Sequence, residues 1–300
     1  MSTNNINQNL TNLASPKIGT KIIEVSDDFF GEASRMLDDK EPVFIEDKYD
    51  EHGKWMDGWE SKRRRDGGND WAIIELGSPG IITEIDIDTS FFTGNFPPFA
   101  SIEGLYSYQK PSKDSDWIEI LSKTSLKGDS GNKFKIESKT KVNYIKLQIF
   151  PDGGVARLRL FGEVKLNWDN YDNKNDLIEL SSLKLGGSIV AYNNAHYGDV
   201  SALLSHGRGK TMGDGWETRR RREPGNDWII IKLATKGLIK KIEIDTAHFK
   251  GNYPDQASVQ VSNFDKNKGL EEGINDSHNW KYILDKSKLQ ADNIHNYEVN

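Results

Sequence analysis

The sequence predicts an all-β protein built from two tandem copies of one jelly-roll β-sandwich. Three observations carry this prediction: a long internal repeat, short runs in which apolar and polar residues alternate, and turn-forming residues between those runs. The chain has 300 residues, of which 35% are hydrophobic, so there is enough apolar material for packed cores. A single core rarely grows beyond about 250 to 300 residues, and two domains are therefore expected.

The internal repeat runs without a gap over a block of 45 residues. An offset of 157 aligns residues 57–101 with residues 214–258, and about 26 of the 45 positions are identical. Upstream of this block the relation continues at an offset of 167. An Asn- and Asp-rich stretch without an apolar period separates the copies, which is typical of a linker. The expected organisation is a first repeat at residues 12–166, a linker at 167–175 and a second repeat at 176–300.

Alternating apolar residues predict the strands. Ile145, Leu147 and Ile149 are a clear example, because side chains two residues apart lie on one face of a strand. At this strand density a jelly roll of about eight strands buries the apolar residues better than an open meander, because its two sheets pack on each other. One short helix per copy is expected, at residues 31–37 and 198–204.

The two copies differ at their C-terminal ends. The first continues through residues 142–162, whereas the second stops at Asn300, the position equivalent to Glu137. About 25 residues, with two strands and a PDGG turn, therefore have no counterpart in the second copy. Their absence would leave strand edges unpaired. We expect a chain truncated at its C-terminus, with a second sandwich that lacks its last strands.

Composition and motifs exclude several functional classes. The formal charge of −6 argues against a general nucleic-acid coat or a polybasic membrane surface. The absence of cysteine excludes disulfides, thiolate metal sites and cysteine nucleophiles. The six histidines show no HxH or HExxH spacing, and there is no GxSxG, P-loop or GxGxxG in a βαβ context. These patterns argue against zinc sites rich in histidine, serine hydrolases and nucleotide enzymes.

No targeting segment is visible in the sequence. Residues 1–12 lack the charged and apolar regions of a secretory signal, and no apolar run approaches the roughly 20 residues that cross a bilayer. We therefore expect a cytoplasmic protein with a small-molecule ligand, without a nucleic-acid or membrane partner.

Each copy places a carboxylate before a run of three arginines, Glu60 before Arg63 to Arg65 in the first copy. In an extended segment, Arg63 and Arg65 would point one way and Arg64 the other. A solvated charged surface is the simplest explanation of such a run. However, arginine is also the residue best suited to bind a carboxylate, since its planar fork donates two parallel hydrogen bonds. The repeated run therefore favours a small anionic ligand.

Two further repeated segments carry polar candidates. The GNDW motif, Gly68 to Trp71 in the first copy, reads as a turn that leads into a strand, and a purely structural role is a serious alternative. Further along, Asp88 ends a predicted strand before a loop rich in Gly, Asn and Pro. Binding residues often collect on such loops. His248 lies in the second of these loops, where the first copy has Phe91.

The motifs DGWE, GNDW, IDT, FxGNxP and PDGG, in this order and mostly duplicated, resemble the allantoicase (allantoate amidinohydrolase) family from about residue 12 to the end. The resemblance implies two jelly-roll domains of the galactose-binding-like type. It also implies hydrolysis of allantoate to ureidoglycolate and urea in purine and allantoin degradation. Such an enzyme is a hydrolase of carbon–nitrogen bonds other than peptide bonds, in linear amidines. The resemblance allows a homo-oligomer and a divalent metal, and it implies no certain cofactor.

Allantoate carries one carboxylate and two ureido groups, so its site needs an arginine clamp, amide-matching partners and a carboxyl group for proton transfer. The candidate catalytic residues are Glu60, Asp70, Asp88, Glu217, Asp227 and Asp245. The candidate substrate-binding residues are Arg63, Arg65, Asn69, Asn95, Arg157, Arg220, Arg222, Asn226, His248 and Asn252. The sequence leaves open whether each repeat holds a complete site or one site is shared.

Two other functions remain open at this point. One is a catalytically impaired homologue or fragment that binds allantoate without turning it over. The other is a carbohydrate-binding β-sandwich module, with Trp55 and Trp168 as stacking platforms for sugars. The repeated arginine run and the missing secretory signal argue against the carbohydrate-binding module.

Overall fold

The computed structural model describes residues 5–6, 10–171, 176–197, 199–264 and 269–299. The chain forms two compact units. We call Leu10–Asp172 the N-terminal unit, and Asn173–Asn300 together with Met1–Asn9 the C-terminal unit. Part of the expected linker, residues 172–175, lies outside the described residues. No helix in the described part of the chain is long and apolar enough to cross a membrane.

The chain is mostly β-structure, with few and short helices. The first strands are β1 (Asn5–Ile6), β2 (Thr11–Asn12), β3 (Lys21–Val25), β4 (Tyr49–Asp50), β5 (Gly53–Lys54), β6 (Trp59–Glu60), β7 (Asp70–Asp88), β8 (Phe99–Leu105), β9 (Ile118–Ser125), β10 (Gly131–Lys135), β11 (Lys141–Phe150), β12 (Gly154–Val155) and β13 (Arg157–Val164). The later strands are β14 (Ser188–Tyr192), β15 (Ile229–Lys232), β16 (Lys241–Asp245), β17 (Gln256–Val261), β18 (Lys281–Lys288) and β19 (Ile294–Glu298). The 3-10 helices are Pro16–Ile18, Ala33–Leu37, Trp168–Tyr171, Leu183–Leu185, Val200–Leu204, Met212–Asp214 and Asp276–Asn279, and the α-helix α1 is Leu270–Asn275.

The N-terminal unit is organised around the long strand β7. An eight-stranded antiparallel sheet has the order β2-β13-β7-β11-β8-β9, and β3 and β10 also pair with β7. The first half of β7 pairs with β3 and β11, and its second half pairs with β10 and β13. Ile145, Leu147 and Ile149 of β11 are all fully buried, as their alternation predicts.

The two expected helices appear as 3-10 helices rather than α-helices. They span Ala33–Leu37 and Val200–Leu204, close to the predicted residues 31–37 and 198–204. Gly198, where the second was expected to begin, lies outside the described residues.

The C-terminal unit has a different strand pairing. Its described strands form three small antiparallel sheets, β1-β14-β15, β16-β19 and β17-β18. In the N-terminal unit, β11 joins β7 to β8 and β13 adds to β7 on the other side. The pairs β14-β15, β16-β19 and β17-β18 correspond in sequence to the pairs β3-β7, β7-β10 and β8-β9 of the N-terminal unit.

The first residue of β12 packs tightly against the loop after β7. A Cβ atom on Gly154 would lie 1.9 Å from the ring of Phe92, which is fully buried. We expect Gly154→Ala to lower the free energy of unfolding by about 1–3 kcal/mol, because the ring has no room to move away. Gly94→Ala in the same region is the control, since a Cβ there has no neighbour within 4 Å. Equal stability of the two variants in guanidinium denaturation would contradict this tight packing.

Candidate active site

Backbone pairing fixes Glu60 at one end of the repeated block. The short strand β6 pairs with β12, so that Glu60 faces Gly154. On its other side, Glu60 and Gly31 exchange both backbone hydrogen bonds at 3.0 Å. The backbone of Glu60 is therefore held between two backbone segments.

The Glu60 carboxyl is half-buried and is paired with an amide. Asn95 Nδ2 donates to Glu60 Oε1 at 2.6 Å. Burial raises the pKa of Glu60 above its usual range, and the smaller effect of the Asn95 hydrogen bond lowers it. A carboxyl group with a raised pKa is suited to donate a proton near neutral pH. The second copy makes the same contact, from Asn252 Nδ2 to Glu217 Oε1 at 2.8 Å.

The arginine run contains one anchored residue and two exposed ones. Arg64 is anchored, because its Nη1 donates to Asp70 Oδ1 at 2.7 Å and to the Asn69 carbonyl at 2.8 Å. It also forms a bidentate pair with Asp66. Arg63 and Arg65 are exposed, and neither has a side-chain partner among the described residues. The guanidinium groups of Arg63 and Arg65, which flank Arg64 in the sequence, are thus available to a ligand.

These residues line an open cleft of about 520 Å³, a volume within the range of small-molecule sites. Its two acidic groups nearest the arginines, Asp66 and Asp70, are already paired with Arg64. The unpaired arginines therefore give the cleft a surplus of positive charge, which favours an anion. The lining residues are Ser26, Asp27, Lys62, Arg63, Arg64, Arg65, Asp66 and Asp70.

Asp70 lies at the buried end of the cleft, with 1% of its side chain exposed. Its Oδ1 accepts from Arg64 and from Ser26 Oγ at 2.9 Å, whereas its Oδ2 is buried without a partner. In the second copy, Asp227 Oδ1 accepts from Arg221 at 2.5 Å. Both aspartates are held in ion pairs with an arginine, and they therefore suit anchoring better than proton donation.

The PDGG turn ties the arginine loop to the Glu60 region. Asp152 Oδ2 accepts from the Arg64 backbone N–H at 2.7 Å, and the Pro151 carbonyl accepts from the Asp70 N–H at 3.0 Å. The Gly154 N–H donates to the Asn95 carbonyl at 2.7 Å. One turn thus contacts both the arginine cleft and the glutamate–asparagine pair. The sequence reasoning noted this turn but missed the role of the Asp152 carboxylate.

Arg157 does not lie in the cleft. It is buried, and its Nη2 donates to Asp57 Oδ2 at 2.7 Å. Its other nitrogen atoms donate to backbone carbonyls, among them those of Lys40 at 2.8 Å and Asp57 at 2.9 Å. Each of its three side-chain nitrogen atoms donates within the protein, so we propose a structural role for Arg157 in place of the expected substrate-binding role.

The remaining candidates lie around the loop that follows β7 and its counterpart. Asp88 is buried at the end of β7 and accepts from the Ser90 N–H at 2.8 Å. Asp245 lies 3.3 Å from Arg208 Nε, and its Oδ1 is buried without a partner. His248 has a φ of 67°, as Phe91 has a φ of 69°. The two residues occupy equivalent positions of the repeat, and both have a left-handed backbone conformation.

The amides of the GNDW motifs turn back onto their own strands. Asn69 Nδ2 donates to the Asp70 carbonyl at 3.1 Å and to Gln148 at 3.3 Å. Asn226 Nδ2 donates to the Asp227 carbonyl at 3.1 Å. Both support the strand that follows.

Two supporting residues in each copy escaped the sequence reasoning. Ser26 and Asp27 contact the repeated block in the first copy, and Asn193 and Asn194 do so in the second. The upstream offset of 167 aligns these pairs, and it was the signal that could have revealed them. Among the described residues no group of three or more His, Asp or Glu side chains is placed to hold a metal ion.

Comparison with known proteins assigns the sequence to a family. The family model described as "Allantoicase repeat" matches residues 11–165 and 178–300. A probable allantoicase 1 from Burkholderia mallei is 47% identical over 290 residues, covering 96% of this chain and 85% of that protein. A probable allantoicase from Acinetobacter baylyi is 47% identical over 288 residues, with the same coverage.

Solved structures give the same result. The crystal structure of allantoicase from Saccharomyces cerevisiae is similar with a TM-score of 0.82 at 33% identity, covering 97% of this chain and 85% of that one. A further structure of allantoicase has a TM-score of 0.81 at 33% identity, with the same coverage.

Proposed function

The chain belongs to the allantoicase family, and we infer that it hydrolyses allantoate to ureidoglycolate and urea in purine degradation. The observation that carries this function is the glutamate–asparagine pair, whose glutamate lies three residues before the first unpaired arginine in the sequence. Glu60 and Arg63 are three residues apart, so their Cα atoms are separated by at most about 11 Å. The long arginine side chain can therefore hold a small anion within reach of the Glu60 carboxyl.

Recognition of allantoate uses the free arginines. Arg63 and Arg65 bind its carboxylate, since guanidinium and carboxylate groups form strong charge-assisted hydrogen bonds. Asp70 and Arg64 hold the loop in place beneath them. Asn95 is the amide that we assign to a ureido arm.

Glu60 supplies the proton that the reaction needs. Its protonated carboxyl donates to the nitrogen of one ureido arm as the bond from that nitrogen to the central carbon breaks, which releases urea. The lone pair of the remaining ureido nitrogen stabilises the positive charge at the central carbon. Water then adds to that carbon and returns a proton to Glu60, which yields ureidoglycolate. One water is consumed and the carboxyl group is regenerated.

The other carboxylates take different roles in this proposal. Asp70 and Asp227 anchor arginines, and Glu217 is the counterpart of Glu60. Asp88 and Asp245, at the strand ends next to the loops, remain secondary candidates for proton transfer.

Finer features of the protein are also proposals. We propose that each unit is a jelly-roll sandwich of the galactose-binding-like type, with repeats at residues 12–166 and 176–300 and a linker at 167–175. A cytoplasmic location and a homo-oligomer complete the proposal. Assays with and without EDTA test whether turnover needs a divalent metal.

The pH dependence of turnover tests the role of Glu60. In a Glu217→Gln chain, we expect kcat for allantoate to fall as pH rises through the pKa of Glu60, because only the protonated carboxyl donates. Adding Asn95→Ala moves this fall to higher pH, since the Asn95 hydrogen bond lowers that pKa. A fall that stays in place or moves to lower pH would contradict the assignment.

A further inference from the structure

We propose that each repeat holds its own allantoate site, so that one chain binds and turns over two substrate molecules. This inference rests on the proposed function and deepens it. It is drawn from contacts that recur within each unit taken by itself.

The support of the GNDW motif is the same in both units, although the residues differ. Ser26 Oγ donates to the motif aspartate at 2.9 Å and accepts from the N–H of the motif tryptophan at 2.9 Å. Asn193 does both with its amide, donating to the aspartate at 3.2 Å and accepting from the tryptophan N–H at 2.9 Å. Different side chains thus preserve the same two hydrogen bonds.

The hydrogen bonds that hold the DGWE motif also recur in both units. The carbonyls of Asp27 and Asn194 each accept from the indole N–H of the motif tryptophan at 2.8 Å. Their Oδ1 atoms accept the backbone N–H of Lys62 at 2.7 Å and of Arg219 at 2.8 Å. The start of the arginine loop is therefore fixed in the same way in both units.

The free and the anchored arginines also correspond. Arg221 pairs with Asp227, as Arg64 pairs with its own aspartate. Arg220 and Arg222 are exposed, and neither side chain has a partner within the described residues. The acid pair is present too, with Asn252 donating to Glu217 at 2.8 Å.

A purely structural role does not account for the outer arginines. The middle arginine pairs with the motif aspartate in each unit, and the outer arginines make no such pair. Two unpaired guanidinium groups close together repel each other, and a bound carboxylate relieves this repulsion. Their presence in both units points to an anion at each place.

The test removes the free arginines of one repeat at a time. The variants are Arg63→Ala with Arg65→Ala, Arg220→Ala with Arg222→Ala, and all four together. We expect each pair to leave roughly half of kcat per chain at an unchanged KM, because the other site is intact, and the fourfold variant to be inactive. Lys133→Ala with Lys135→Ala is the control, since it removes two exposed charges away from the arginine loop.

Each outcome of this test supports or contradicts one site per repeat. Loss of all turnover in either pair would mean that both loops serve one site, and full turnover in either pair would mean that its repeat does not act; both outcomes overturn the proposal. An inactive wild-type chain would overturn the proposed function instead. In that case calorimetric titration with allantoate decides the inference, with two molecules bound per chain expected and one molecule overturning it.

Discussion

Replacing Glu60 and Glu217 together by glutamine is expected to lower kcat for allantoate by about 100- to 10,000-fold. Glutamine keeps the shape and can still accept the hydrogen bonds from Asn95 and Asn252, but it has no acidic proton to donate. KM should change little, because the arginines that bind the carboxylate remain. The measurement is steady-state turnover of allantoate by the double variant and by each single variant.

Glu119→Gln is the matched control for these substitutions, because Glu119 is exposed on β9 and lies outside the repeated block. It should retain wild-type kcat. Wild-type kcat in the double variant would remove both glutamates from the mechanism and leave Asp88 and Asp245 as the acids to test.

Arg157→Ala is expected to lower the free energy of unfolding by about 3–5 kcal/mol, because it removes a buried guanidinium group and with it the ion-pair partner of Asp57. Arg157 is 1% exposed and Asp57 15% exposed. Guanidinium denaturation followed by tryptophan fluorescence measures the change.

Arg159→Ala is the comparison on the same strand. Arg159 pairs with the exposed Glu41, and such surface pairs contribute about 0–1 kcal/mol. If Arg157→Ala were as stable as Arg159→Ala and lost only substrate binding, then the structural role of Arg157 would be wrong and its original assignment correct.

Local patterns predicted much of this architecture. The mostly-β class and the tandem repeat follow from alternation and self-similarity, both of which are written in consecutive residues. The truncated second sandwich stays a prediction.

Contacts between residues far apart in the sequence could not be predicted from local patterns. Arg157 reads as a ligand for anions beside a loop, but strand pairing buries it against Asp57, which is 100 residues away in sequence. Asp152 looked like part of a turn, and only the fold brings its carboxylate to the Arg64 N–H, 88 residues away. The pairing of Glu60 with Asn95 depends in the same way on β6, β12 and the loop after β7. Such long-range contacts leave no periodic pattern in the sequence.

The most direct test of the central claim is product release from allantoate by the purified chain, after circular dichroism has shown that it is folded. The account predicts that urea and ureidoglycolate appear in equal amounts and that the Glu60→Gln, Glu217→Gln chain releases neither at a comparable rate. A folded wild-type chain that binds allantoate and releases neither product would contradict it.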